Sequence, residues 1–457
     1  MMDITVLRKK ILELVKKTIE IVENEKEHNN LEFSNYEYEK YRVTEFQYTN
    51  SGTQFKLTKE YFYIPFLLNL PELLQMIFNT EEYRQLADYI KKNLPQEESG
   101  SEEISFFIQR IIRKYSETFT ISQSQINTVT QGFISDLTKT VPESMAIVQL
   151  VGLILHPEEI VLGSGIKIRK PRKEDFEIER PVSLTLHEPP YLKTTAILEI
   201  SKQTNRPMDI QAEIEKAITL LQLFRVGSIK YTTGRMHSSS RSTLLNCTMG
   251  SGDSNYPVYT YIINDGESEN LQYFCNALSE RLPLNIFQLW GQDKDYQSIA
   301  FDRYEDALIQ TGIDERKITN IMMGFEALYF KKNERQELDY RLQMRIAKVL
   351  GKFSFDPILV KNAVKDAYNI RSIFSHGSLL STEKKESYQN KYEGGVGGLT
   401  KLVLDFLRIS LIVSISIEME KAKWIDLIDN ALIQESENEE LDNVLGLTKE
   451  IIEKTKM

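Results

Sequence analysis

Cysteine is nearly absent, with Cys247 and Cys275 the two examples in 457 residues. Neither a metal-type spacing nor a disulfide framework can be built on them, and such usage fits a reducing compartment. Basic charge is not in excess either. Sixty-six acidic residues against 56 basic ones give a net charge of −10, which excludes a chain coated throughout in basic surface for nucleic acid. Histidine numbers only five, and His28, His156, His187 and His237 lack the spacing to Cys, Asp or Glu that a zinc site needs. The longest apolar run, Leu402 to Ile417, is interrupted by Asp405 and Arg408 and is too short to span a bilayer. The N-terminus carries no apolar signal core and no small-residue cleavage site. These absences lead us to expect a cytoplasmic protein with no membrane span, no metal site and no cofactor.

What is present is ordinary globular material, 41% apolar and 27% charged. A chain of this length exceeds what one core usually holds, so two or three domains are expected. The periodicity predicts an α+β, predominantly helical protein. Residues 4–22 have helical apolar spacing, and Ser34 to Tyr63 is aromatic-rich and strand-like around an Asn50-Ser51-Gly52 turn. Pro71 opens a helix to about Asn93, and the acidic stretch Gln96 to Glu103 reads as a linker or loop. Residues 104–142 are again helical. Ile147–Leu155 and Ala196–Ile200 read as strands and Gln211–Val226 as an amphipathic helix. Further strands are expected near 228–232, 242–248 and 257–263, separated by polar loops at Met236–Ser240 and Gly250–Ser254. Past Trp290 the pattern is helical to the end, with a tail broken at Glu435–Glu440. The expected units are residues 1–103, helical and aromatic-rich; 104–290, an α+β sensor or regulatory domain; 294–425, a helical bundle; and 426–457, a helical tail.

The chemistry concentrates late in the chain, at Tyr368-Asn-Ile-Arg371-Ser372-Ile-Phe-Ser-His376-Gly377. A helix begun by Pro357 carries Val360, Val364, Ala367 and Phe374 as its seam, and Arg371 falls in register with them. An arginine on such a seam must be paired or line a cleft, since an unpaired buried cation is costly. Glu326 is one carboxylate that could hold it. His376 lies in the final turn, where the helix dipole favours a protonated imidazole, and Gly377 suits a helix end. Five residues turn an ideal helix by roughly 500°, so the two side chains do not share a face. The similar pair Arg180 and His187 is rejected, because prolines 181, 189 and 190 leave no helix to present it.

The stretch from about Arg303 to Glu418 resembles the HEPN fold, and within it the ApeA-like HEPN subgroup. The matching residues are Phe325-Glu326-Ala327-Leu328 on one helix, Leu338-Asp-Tyr-Arg341-Leu-Gln-Met-Arg345 on the next, and Ala367 to Gly377. The resemblance covers about a quarter of the chain. It implies a helical bundle that dimerises so that both Arg–x4–6–His motifs face one cleft. It also implies a metal-independent endoribonuclease of the kind found among toxins and anti-phage abortive-infection effectors. On that basis Arg371 and His376 would be the catalytic pair, with Ser372, Arg345 and Tyr368 near the RNA substrate. Many members have Asn, Asp or His directly after the arginine, whereas this chain has Ser372, whose hydroxyl orients neighbours less firmly. Implied partners are RNA, a second copy of the chain, and a phage-derived trigger or an antitoxin. The alternative is a non-catalytic HEPN module that binds nucleotide or RNA, or serves as an interaction scaffold.

Two weaker signals carry less. The glycine-rich segment Glu393 to Lys401 lacks the spacing and the preceding strand of a phosphate-binding loop. His237, between Arg235 and Arg241 in a serine-rich stretch, more simply belongs to a solvated loop.

Overall fold

A computed structural model of the chain describes residues 3–28, 30–31, 33–49, 52–93, 100–118, 120–138, 143–176, 178–181, 194–204, 207–238, 242–246, 259–282, 295–309 and 312–456. His187, the Gly250–Ser254 loop and most of the acidic stretch after Asn93 lie outside the described residues, as does the side chain of His237.

The first five helices are α1 (Ile4–Glu27), α2 (Leu70–Phe78), α3 (Glu81–Asn93), α4 (Gly100–Thr118) and α5 (Gln123–Thr138). They enclose a core of their own, centred on Leu7, Ile11, Leu14, Ile108, Ile112 and Phe133. The single helix expected from Pro71 to Asn93 is two. Thr80 breaks it, because its hydroxyl accepts the Tyr83 N–H at 3.2 Å and caps a new helix start.

Between α1 and α2 the chain makes a long hairpin, β1 (Phe33–Thr49) and β2 (Gly52–Leu67), paired from Phe33↔Leu67 to Thr49↔Gly52. The α+β part follows as β3 (Glu143–Val151), β4 (Leu153–Leu155), β5 (Glu159–Gly163), β6 (Ile166–Arg169), β7 (Ile178–Pro181), β8 (Ala196–Gln203), α6 (Pro207–Phe224), β9 (Lys230–Ser238), β10 (Ser242–Asn246), β11 (Tyr261–Ile263) and α7 (Ser268–Ser279). Six strands form an antiparallel sheet in the order β10-β9-β3-β8-β6-β5, while β7 joins the hairpin and β11 pairs with β4 in parallel. Gly152 separates β3 from β4 with φ +87, and a side chain there would meet the Ser228 carbonyl at 2.6 Å. The hairpin reaches the sheet through Tyr48, whose hydroxyl donates to the Thr195 carbonyl at 2.9 Å and accepts the Leu155 N–H at 2.9 Å.

The remaining helices are α8 (Tyr296–Ile309), α9 (Asp314–Tyr329), α10 (Leu338–Gly351), α11 (Pro357–Ser375), α12 (Thr382–Lys391), α13 (Gly395–Ser416), α14 (Lys421–Ala431), α15 (Glu435–Val444) and α16 (Gly446–Glu453). The protein is thus α+β and predominantly helical. In the bundle, α13 is buried on nearly every face, as its apolar sequence requires. The acidic run expected to break the tail is itself helical. Glu435 and Glu437 fall in the first turn of α15, where carboxylates offset the positive end of the helix dipole, and Leu441 anchors it. No helix among the described residues is long and apolar enough to cross a membrane.

One apolar core runs from Ala146 on β3 to Ile452 on α16, so the sheet and the bundle pack as one body. The C-terminus of α6 is its polar fastener. The last four carbonyls of any helix lack intrahelical partners. Here each finds one: Leu221 accepts from the Tyr261 hydroxyl at 2.7 Å, Gln222 from that of Tyr304 at 2.8 Å, and Leu223 and Phe224 from Nη1 of Arg408 at 2.8 and 3.0 Å. Tyr304 lies on α8 and Arg408 on α13, so the bundle itself completes the helix of the neighbouring layer. Arg408→Met strands two buried carbonyls and leaves Asp405 without its cation. It is expected to cost about 3–5 kcal/mol, read from urea unfolding of the full chain.

Beside this junction Glu305 of α8 faces Glu215 and Gln222 of α6 and its own neighbours Asp302 and Asp306. Burial first, then these negative charges, push its carboxyl up to about 7 from an ordinary 4.5. A folded-state value raised in this way gives stability that is complete below 4.5 and lost as pH rises through 7. Glu305→Gln is therefore expected to remove about 2 kcal/mol of pH-dependent loss between pH 5 and 8, visible as a flatter melting temperature across that range.

Candidate active site at the C-terminal end of α11

Local sequence explains where α11 starts and stops. Asp356 caps it by accepting the Ile358 N–H at 2.9 Å, with Pro357 in the first turn. Val360, Ala363, Val364, Ala367 and Ile370 form a fully buried stripe against α9, α10 and α13. The end is a Schellman motif: Gly377 N–H donates to the Phe374 carbonyl at 2.9 Å and Ser378 N–H to that of Ile373 at 3.2 Å. Gly377 has φ +79 and open space where a Cβ would sit, so the backbone conformation, not crowding, calls for glycine.

Arg371 sits one residue past this stripe, with 27% of its side chain exposed. Its Nη2 donates to Oε2 of Glu326 on α9 at 3.2 Å, and its guanidinium lies over the Tyr368 ring, 5.6 Å from the centroid. Its Nε is buried and makes no hydrogen bond. Burial pushes the Glu326 carboxyl up, and the facing arginine draws it part of the way back. Tyr368 is half-buried against the core, and burial raises its phenol while Arg371 opposes the rise. Ser372 is half-buried, and its carbonyl accepts the His376 N–H at 3.2 Å.

His376 is the C-cap residue and is exposed. Its imidazole makes no hydrogen bond or ion pair among the described residues, so it is open to an incoming group. Five residues advance a helix by about 7.5 Å and most of a turn and a half, which leaves imidazole and guanidinium on different faces of one protomer. Arg371, Ser372, Tyr368 and His376 therefore share one helix end, with Glu326 added from α9, but Arg371 and His376 do not bond to one another.

Arg345 is not part of this cluster, which corrects the expectation that it contacts substrate. It is 1% exposed, and all five of its N–H groups are used. Nε and Nη2 fork onto Asp429 at 2.7 Å each, Nη1 and Nη2 fork onto Glu334 at 2.8 and 2.6 Å, and Nη1 also donates to the Tyr329 carbonyl at 2.7 Å. No donor remains for a phosphate. Its role is to fasten α14 to α10 and to the end of α9.

No protein-family model matches the chain, and no solved structure matches it. Among curated proteins, the chain is 30% identical over 67 residues to an alanine–tRNA ligase of Chlamydia caviae, a stretch that makes up 14% of this chain and 8% of that ligase. So small a share of the ligase leaves the α11 site as the basis for a functional reading.

Proposed function

We propose that the protein is a metal-independent endoribonuclease of HEPN type, acting in the cytoplasm as a regulated toxin or abortive-infection effector. The observation that carries the reading is the exposed, unbonded imidazole of His376 at a helix end that also holds the partly exposed guanidinium of Arg371. The 2′-hydroxyl of RNA attacks the adjacent phosphorus and gives its proton to a base. The P–O5′ bond breaks, and an acid protonates the departing 5′-oxygen. Histidine titrates in the right range for both proton transfers, and arginine's fixed fork holds the phosphorane oxygens. Because the two side chains of one protomer diverge, a symmetric pair of copies would supply base, acid and clamp across a shared cleft. RNA is then both substrate and partner, and residues 1–290 would carry the response to a phage-derived trigger or an antitoxin.

The products are a 2′,3′-cyclic phosphate and a 5′-hydroxyl. The test is an RNA oligonucleotide beside the same strand bearing one 2′-deoxynucleotide at the mapped cleavage position. The proposal expects cleavage there to cease in the substituted strand; continued cut at that position would refute 2′-hydroxyl attack.

The second reading, a non-catalytic HEPN scaffold, is favoured by the Arg371–Glu326 ion pair, which gives the arginine a structural partner. The two readings separate on Arg371→Lys. A scaffold tolerates it, since the charge facing Glu326 is kept; the nuclease loses its planar clamp and at least tenfold in rate.

A further inference from the structure

Opposite its buried stripe, α11 carries a polar row. Lys361, Lys365, Asn369, Ser372 and His376 follow one another at three- or four-residue steps, which places them along one side of the helix. At 1.5 Å per residue the row is about 22 Å long and ends on the candidate catalytic imidazole. Lys365, Asn369 and His376 are exposed, while Lys361 and Ser372 are half-buried.

The charges of this helix are not evenly compensated. Past its cap α11 has one acid, Asp366, and both the Lys391 ammonium and the Tyr392 hydroxyl donate to it. Arg371 faces Glu326. Lys361 and Lys365 have no carboxylate partner among the described residues. Lys361 instead lies over the ring of Tyr340 on α10, 6.0 Å from the centroid, and that ring is 56% exposed. The row therefore begins at a solvent-facing aromatic ring beside an ammonium group, continues through a second ammonium and two neutral hydrogen-bonding side chains, and stops at His376. In a chain of net charge −10, a polyanion gains most where cations stand without acidic partners.

We propose that this face of α11 is the track along which single-stranded RNA reaches His376. Lys361 and Lys365 hold backbone phosphates, Asn369 and Ser372 bond the nucleotides next to the cut, and Tyr340 stacks on a base at the far end. Ammonium groups on flexible stems follow a phosphate backbone without reading its sequence, and an exposed ring stacks on any base. A duplex keeps its bases stacked on one another and offers none to Tyr340, so the track selects single strands. The inference rests on the nuclease reading for its occupant, yet its test is binding and not cleavage.

The test is fluorescence anisotropy of the full-length protein with a labelled single-stranded 2′-O-methyl RNA, which cannot undergo 2′-hydroxyl attack. It is repeated on Lys361→Ala/Lys365→Ala and on Lys9→Ala/Lys16→Ala, which removes the same charge from exposed positions of α1. Thermal melts and sedimentation of each variant accompany the titrations. Saturable binding is expected, weakened at least tenfold in the α11 variant and unchanged in the α1 variant. The slope of log affinity against log salt should become shallower by about 1.4 in the α11 variant, at roughly 0.7 for each phosphate lost. No saturable binding, an unchanged affinity in the α11 variant, or equal losses in both variants overturns the proposal. An α11 variant that sediments as a smaller species than the wild type also overturns it, by giving the face to a second copy of the chain. The expected binding pattern without cleavage of ordinary RNA in EDTA upholds the track and defeats the nuclease reading alone.

Discussion

Alanine at His376 is expected to lower RNA cleavage by about 10²–10⁴-fold, the range in which a positioned general acid or base contributes. The melting temperature should stay where it is, because the imidazole is exposed and the helix cap is made by backbone groups and Gly377. Arg371→Ala is expected to lose as much activity, through the missing charge on the phosphorane. Its structural cost is smaller than that of a buried pair. A quarter of the side chain is exposed, one 3.2 Å contact to Glu326 is lost, and a buried Nε without a partner is removed at the same time. Initial rates and thermal melts on the same preparations check both. A variant that melts normally but does not cleave places the residue in chemistry; one that cleaves normally removes it from the mechanism.

Arg345→Met is expected to cost the fold about 3–5 kcal/mol, as much as Arg408→Met. It leaves Glu334 and Asp429 facing each other without the cation between them, and one carbonyl at the end of α9 without a donor. The same pair sets an acid limit. Arg345 foremost holds the Glu334 carboxyl down to about 2 from an ordinary 4.5. A lowered folded-state value means stability that is complete above 4.5 and lost as pH falls towards 2, worth about 2 kcal/mol once solvent screening of this partly exposed carboxylate is allowed for. Urea midpoints between pH 5 and 2.5 should fall less steeply in Arg345→Met than in the wild type, the remainder coming from Glu199, Glu267 and Asp442, whose carboxyls are also held low by basic partners. A wild type whose midpoint is flat over that range would show that the fork contributes little.

The helices around α11 were legible because their chemistry is local. The stripes of α9, α10 and α13 repeat at helical spacing, Pro357 marks a start, and Gly377 marks a stop. Arg371 was legible for a related reason, since a cation on an apolar seam demands a partner, and Glu326 was the carboxylate that α9 could offer. Arg345 misled because its meaning is set at long range. An arginine flanking the apolar stripe of α10 reads alike whether it meets a phosphate or two carboxylates, one of them 84 residues away. The α6 junction was hidden likewise: Arg408 looked like an interruption of an apolar run, and only packing shows that it completes another helix. The helix α12 was missed because its polar sequence, Thr382 to Lys391, buries no residue and so leaves no stripe to read. The Arg169 network was missed because β6 must pair with β8 and the turn after β6 must fold back before Glu199 and Asp175 meet the guanidinium.

The central claim is that the end of α11 cleaves RNA, and the most direct measurement is incubation of total RNA with the purified full-length protein in EDTA, beside Arg371→Ala and His376→Ala. The account predicts fragments with cyclic-phosphate ends from the wild type and none from either variant. Equal fragmentation by all three proteins would contradict it.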